Sequence, residues 1–246
     1  MGAMLALMAG IGCGRPSAVV REIALTIPST SGVSLSATAF VPEASRPPGI
    51  VLLHSLGLDR EEWTAFARRA RDEGHLCVAV DFRGHGGSQA ANGTARPFRS
   101  FAPEEWPRLV DDAAAAHREL LRLGADADRI AIVGADIGAN VAAVYAASAP
   151  AIRATVLVSP GRDYRGIVIG PELVRTDKRP MLLIASEGDS YSASICSAMH
   201  EAAPGYSEIR SYAGTAHGAG LIEAHPDAVE QILVWLDEII GDGPLG

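Results

Sequence analysis

Apolar and polar positions alternate in two early stretches of the chain, Val20–Ile27 and Val33–Val41, separated by the turn residues Ser29-Thr-Ser-Gly32. Period-two alternation predicts half-buried strands, and the intervening turn makes them an antiparallel pair, with Val33, Leu35, Ala37 and Ala39 on one face. After Pro47-Pro48-Gly49 the pattern changes. Ile50–His54, Leu76–Val80, Arg129–Val133, Thr155–Val158 and Arg179–Ala185 are apolar runs with little alternation, as expected of strands covered on both faces. Between them lie segments of helical period. Asp59–Gly74 places Trp63, Phe66, Ala67 and Ala70 on one side, with Asp59 as cap. A longer helix is predicted from Pro103 to about Leu123, its first turn acidic where the helix dipole favours negative charge. Gly138–Ala149, Tyr191–Ala203 and Pro226–Ile240 complete the helices, Ser207–Tyr212 is a further strand, and Phe82–Ala102 reads as a loop. Strands alternating with helices imply an α/β fold: a mostly parallel, twisted sheet with helices on both faces.

Length and composition narrow this picture. The 246 residues suffice for one α/β domain, assigned to residues 20–246, and are too few for two ordinary domains and a linker. A net charge of −8, with no basic run, argues against a nucleic-acid partner and leaves a small-molecule substrate as the expectation. Residues 1–19 stand apart. Met1–Gly12 is apolar, too short to span a bilayer, and ends at Cys13 before Gly-Arg-Pro-Ser. Two readings follow: an exported lipoprotein held to a membrane by a lipid on Cys13, or a disordered N-terminus on a cytoplasmic protein. Cys13, Cys77 and Cys196 form no disulfide framework and no zinc spacing, so neither metal nor cofactor is expected.

The candidate chemistry centres on Gly134-Ala135-Asp136-Ile137-Gly138, between a buried strand and a helix. Glycines flanking a central residue suit a sharp strand-to-helix turn, since they lack the Cβ that would clash there. The pattern is G-x-D-x-G, a nucleophile elbow with aspartate at its centre. Asp189 follows the strand ending at Ala185, and His217 follows the strand ending near Tyr212. Each falls at the carboxyl end of a strand, where open α/β sheets carry their active residues. The N–H of Ile137, at the positive end of the next helix, is a candidate oxyanion donor.

Several spaced motifs carry a resemblance: Leu53-His-Ser-Leu-Gly57, Asp81-Phe-Arg-Gly-His-Gly-Gly-Ser88, Gly134–Asn140, Ser159–Gly166, Glu187-Gly-Asp189 and Ala216-His-Gly218. Over about residues 20 to 240 the chain resembles a small α/β-hydrolase of the dienelactone-hydrolase-like kind, including exported bacterial members. The resemblance implies an α/β-hydrolase fold without a cap domain, His217 as base, Asp189 as its partner, and Leu56 as the second oxyanion donor. His54 and His85 are expected to support their turns, and Trp63, Trp106 and Trp235 to pack in the core. Arg96 and Arg99 are expected in a solvated loop, with a place at the pocket mouth as the alternative; Asp163-Tyr164-Arg165 either lines the pocket or pins the neighbouring loop.

Aspartate at the elbow changes the chemistry on offer. A carboxylate beside a helix N-terminus and a histidine is favoured in its charged form and needs no base to activate it. Acyl transfer from an ester is hard for it, because the tetrahedral species expels the carboxylate more readily than an alkoxide. Displacement at saturated carbon gives instead an alkyl-enzyme ester that a histidine-activated water can hydrolyse. Haloalkane dehalogenases and epoxide hydrolases work in this way. The chain departs from them: Ile137 stands where they carry Trp, His54-Ser-Leu-Gly57 lacks their His-Gly-x-Pro form, and the segment from Val158 to Met181 is too short for their cap. Three readings therefore stand: a hydrolase of small or medium carboxylic-ester-like substrates, an Asp-nucleophile hydrolase of alkyl halides or epoxides, and a silent binding protein on a hydrolase scaffold.

Overall fold

The structure, a computed structural model, describes residues 21–174 and 178–241; Cys13 and the apolar segment around it lie outside them. Among the described residues eight strands form the main sheet: β1 (Arg21–Pro28), β2 (Ser34–Val41), β3 (Gly49–Leu53), β4 (Leu76–Val80), β5 (Ile130–Ala135), β6 (Ile152–Val158), β7 (Met181–Ser186) and β8 (Ser207–Tyr212). Their order is β1-β2-β4-β3-β5-β6-β7-β8. The β1–β2 and β2–β4 pairs are antiparallel and all others parallel. The chain therefore reverses winding direction around β3, β4 and β5, and the carboxyl ends of the central strands meet at one edge.

The parallel strands are apolar throughout because both faces are covered. Alternate residues go to opposite sides: Val51, Leu53, Val78 and Val80 join a core with α2 (Leu109–Arg122), α3 (Ile137–Ser148) and α5 (Ser190–Ala202). Ile50, Leu52, Cys77 and Ala79 join a second core with α1 (Thr64–Asp72) and α7 (Asp227–Ile240). Two short helices, α4 (Pro171–Val174) and α6 (Ala219–Ala224), have no counterpart in the sequence pattern. All three tryptophans are buried, as are Cys77 and Cys196.

Two expected helices begin otherwise than the pattern suggests. The first turn after Asp59 is a 3-10 helix, Arg60–Trp63, and only then does α1 start; Asp59 caps the 3-10 turn, accepting from the Glu61 amide at 2.9 Å, and not α1. Pro103–Arg108 is also 3-10, since Pro107 has no N–H to give an α-helical bond, and α2 starts at Leu109. The connection between β6 and β7 is short. It carries a two-residue hairpin, Asp163–Tyr164 paired with Ile167–Val168, and the single turn α4, so the described part of this segment holds no cap domain.

Candidate active site

β5 ends at Ala135 and α3 begins at Ile137, leaving Asp136 in the turn with φ 53° and ψ −121°. An L-residue held there costs roughly 1–3 kcal/mol. A Cβ at Gly134 would lie 2.2 Å from the Gly138 carbonyl oxygen, and one at Gly138 only 2.4 Å from that of Leu53. Turn and β3 thus touch backbone to backbone, which brings the loop after β3 onto Asp136. The Asp136 amide donates to Val158 O at 2.9 Å, fixing the turn to β6 as well.

The carboxylate of Asp136 is divided between two neighbours. Oδ1 stands 3.3 Å from His217 Nε2, and Oδ2 accepts the Leu56 N–H at 2.9 Å. His217 Nδ1 in turn lies 2.6 Å from Asp189 Oδ2. The structure therefore brings Asp136, Asp189, His217 and Leu56 together. Ile137 adjoins them as the first residue of α3, so its N–H is among those a helix leaves without an internal partner.

The hydrogen bond to Asp136 is the largest influence on His217; burial opposes it, Asp189 adds to it, and the imidazole is pushed up to about 9. It is thus an imidazolium at neutral pH, gripped between two carboxylates. Burial works against the charge of Asp189, but hydrogen bonds from His217 and Ser192 outweigh it and hold that carboxyl below its ordinary range. Asp189 also caps α5, its Oδ1 accepting the Ser192 amide at 3.2 Å.

The loop bearing His217 is fastened by two serines: Ser159, which opens one of the motifs but whose bond the sequence did not show, and Ser186. Ser186 Oγ donates to Ala216 O at 2.6 Å, and Ser159 Oγ accepts the Gly218 amide at 2.9 Å. Ser159 reaches it from an unusual backbone position, φ 50°. On the same side Tyr164 brings its hydroxyl to 3.1 Å from His217 Nε2. Its hairpin is tied to α3 by Asn140, whose side-chain amide donates to Gly161 O at 2.9 Å and Ile167 O at 2.8 Å. Burial, then the charge of Asp136, push the Tyr164 hydroxyl above its ordinary pKa.

The Leu56 loop is held from behind. His54 is fully buried; its Nε2 accepts the Phe82 amide at 3.0 Å, which leaves the proton on Nδ1 to be donated to Ser55 O at 2.7 Å. Burial drives its pKa down to about 3, so the ring is neutral. In a trans peptide C=O and N–H point opposite ways. Pinning the Ser55 carbonyl on one side therefore turns the Leu56 N–H towards Asp136 on the other. His85 stacks on Phe98 with ring centroids 4.2 Å apart and takes no part in the cluster.

Beside the site runs a groove of about 730 Å³, with Gly57, Leu58, Phe66, Ile222 and Val229 among its lining. Arg96 is bonded to Glu105 and Arg99 lies over the Phe98 ring at 4.7 Å, so both are engaged within the solvated loop. Arg165 leans over Trp106 at 5.3 Å, leaving Tyr164 as the member of its tripeptide that reaches the site. Among the described residues no His, Cys, Asp and Glu cluster is arranged to hold a metal ion, and no helix is long and apolar enough to cross a membrane.

Residues 50–236 match the model of the alpha/beta hydrolase family. No curated protein matches the sequence. Among solved structures, DcsB in complex with its substrate analogue is similar with a TM-score of 0.74 at 13% identity, covering 89% of this chain and 99% of that one. The dienelactone hydrolase of Anabaena variabilis gives 0.67 at 16% identity, over 89% of this chain and 96% of its own. An esterase of Pyrococcus furiosus gives 0.67 at 17%, over 98% and 99%. At these identities the likeness is one of fold.

Proposed function

Since the chain belongs to the alpha/beta hydrolase family, we propose that it is a hydrolase in which Asp136 is the nucleophile, His217 the base and Asp189 the acid partner of that base. The substrate class we infer is one with an electrophilic saturated carbon, such as an alkyl halide or an epoxide. The observation that carries this reading is the division of the Asp136 oxygens: Oδ2 on the Leu56 amide, Oδ1 facing His217. Oδ1 attacks the carbon, a new C–O bond forms, and the bond to the leaving group breaks with its electron pair. Asp136 becomes an ester, and Oδ2 becomes its carbonyl oxygen, already on an oxyanion donor.

Esterification also changes the base. The main cause of the raised His217 pKa is the Asp136 carboxylate, and that charge is gone in the alkyl-enzyme. His217 then gives up its proton and accepts one from water, which attacks Cγ of Asp136. The oxyanion develops on Oδ2, and collapse expels the alcohol, which takes the proton from His217; the new Asp136 carboxyl then passes its proton to His217, restoring the carboxylate and the imidazolium. The sum is alkyl halide plus water giving an alcohol and the hydrogen halide, or epoxide plus water giving a diol. Tyr164 brings a further hydroxyl to the same space, 3.1 Å from His217 Nε2.

A second reading is favoured by the solved neighbours, which include an esterase and a dienelactone hydrolase. There, water activated by His217 attacks a small or medium carboxylic ester whose carbonyl lies on the Leu56 and Ile137 amides. It requires Asp136 to release Leu56, and the aspartate charge opposes oxyanion formation. Mass spectrometry separates the readings. With His217→Gln, which keeps the nucleophile but removes the base, incubation with haloalkanes and epoxides should leave a covalent mass increase on the peptide containing Asp136. Turnover of p-nitrophenyl esters by the parent protein, lost in His217→Ala and without any adduct, would establish the second reading. Neither adduct nor turnover across the panel would make the scaffold a silent binding protein.

A further inference from the structure

Glu62, at the end of the 3-10 turn Arg60–Trp63, lies behind the Leu56 loop and reaches back to Ser55. Its Oε2 accepts the Ser55 amide at 2.7 Å and its Oε1 accepts the Ser55 hydroxyl at 2.9 Å. Both carboxylate oxygens are thus spent on one residue, and that residue supplies the carbonyl half of the peptide whose nitrogen is Leu56. His54 fixes that peptide by its oxygen, and Glu62 fixes the amide one residue earlier. The turn carrying Glu62 is itself anchored. The Arg60 amide donates to Asp81 Oδ1 at 2.8 Å, and its guanidinium pairs with the same buried carboxylate. Ser55 is pressed from the other side by the His217 loop, since a Cβ on Gly218 would come 2.8 Å from its hydroxyl.

We infer that Glu62 is a positioning residue for the oxyanion donor: its ionised carboxylate holds Ser55 so that the Leu56 N–H points at Asp136, and its protonation releases that aim. An ionised carboxylate accepts both Ser55 donors in charge-assisted bonds. A protonated one carries an O–H that must itself donate, so one of the two bonds is lost or reversed. The groups facing Glu62 make its ionisation responsive. Asp59 and Glu61 stand on its own turn, Asp136 lies across Ser55, and Glu223 of α6 and Arg68 of α1 line the groove onto which Glu62 also opens. Burial is the main cause that pushes its carboxyl up to about 7; the two Ser55 bonds oppose it, and the charges of Asp136 and Asp59 add to it. The site thereby acquires a control in the neutral range that is separate from His217.

The inference rests on the proposed role of the Leu56 amide in the reaction, and its first test involves no turnover. In ¹H–¹⁵N spectra of the whole protein, the Ser55 and Leu56 amides should move together with a midpoint near 7, and Glu62→Gln should abolish that midpoint in both. A Leu56 resonance that titrates identically in the parent and in Glu62→Gln overturns the inference. In kinetics, Glu62→Gln should hydrolyse the pre-formed alkyl-enzyme at least about tenfold more slowly than the parent above this midpoint, and the two rates should converge below it; His217 protonation acts on both proteins alike, so the ratio reports Glu62. Stability provides a contrast with a merely structural role. A carboxyl whose pKa is raised in the fold is less stabilising once ionised, so Glu62→Gln should unfold at the same temperature as the parent or higher above the midpoint. Slower hydrolysis with a lower unfolding temperature and an unchanged Leu56 resonance would mark Glu62 as structural only. If no alkyl-enzyme forms, the nucleophile reading of Asp136 falls, and the amide titration still decides for or against Glu62.

Discussion

Oδ2 of Asp136 and the amide nitrogen of Leu56 are 2.9 Å apart, so the residue that offers an oxygen for attack also fills the place where a substrate carbonyl would be received. Asp136→Ser removes the occupant and its charge. The variant should release p-nitrophenol from a small ester at least about a hundredfold faster than the parent, the scale of one oxyanion donor. Equal rates in stopped-flow absorbance would mean that the Asp136 carboxylate does not obstruct the donor.

His217 offers a titration that reports on the same carboxylate. Its ring should titrate near 9 in the parent protein and at least about one unit lower in Asp136→Asn, as read from imidazole NMR signals. The sign for stability follows. A raised histidine pKa stabilises the fold fully below the ordinary value of 6.5, and that contribution is lost as pH rises through about 9. Unfolding temperatures of the parent should therefore decline across that window, and those of Asp136→Asn should decline less.

Asp189 has two duties that substitution can divide. Asp189→Asn keeps an oxygen for the Ser192 amide at the start of α5 but loses the charge that faces His217. It keeps the helix cap, so its loss of unfolding free energy should be confined to the missing charge beside His217, while hydrolysis of the alkyl-enzyme slows by roughly a hundred- to ten-thousand-fold. Asp189→Ala should slow it similarly and also lose about 1 kcal/mol through the missing cap. Urea titrations and single-turnover rates on the same preparations check both.

Arg83 and Asp112 form a buried pair, bonded through the Arg83 terminal nitrogen at 2.6 Å, with side chains 6% and 0% exposed. Arg83→Met leaves the carboxylate without its partner and should cost about 3–5 kcal/mol in urea denaturation. Arg96→Met, which breaks the exposed pair with Glu105, should produce no comparable change. Equal losses for the two would contradict this difference between buried and exposed charge.

What could be read from the chain is what depends on pattern. The parallel strands were legible because burial on both faces demands unbroken apolar runs, and β3 to β7 lie within a few residues of the expected places. Asp136, Asp189 and His217 were legible because each follows a strand at the carboxyl edge, and Leu56 through resemblance. Glu62 was not, because an acid in the first turn of a helix is ordinary, and only the tight 3-10 return carries it to Ser55. Ser159 and Ser186 were hidden for a similar reason: their bonds to Gly218 and Ala216 join residues distant in sequence through loops whose course no periodicity describes. Pro107 did signal a break in its helix, and the pattern of acidic and apolar residues around it concealed that signal.

The bare backbone at Gly134 and Gly138 has one more consequence. The sharpness of the turn comes from two residues with no side chain, packed against each other and against the Leu53 carbonyl, and nothing in that packing consults the group displayed between them. A single replacement at Asp136 therefore changes the reactive group on display while the two glycines go on setting the course of the turn.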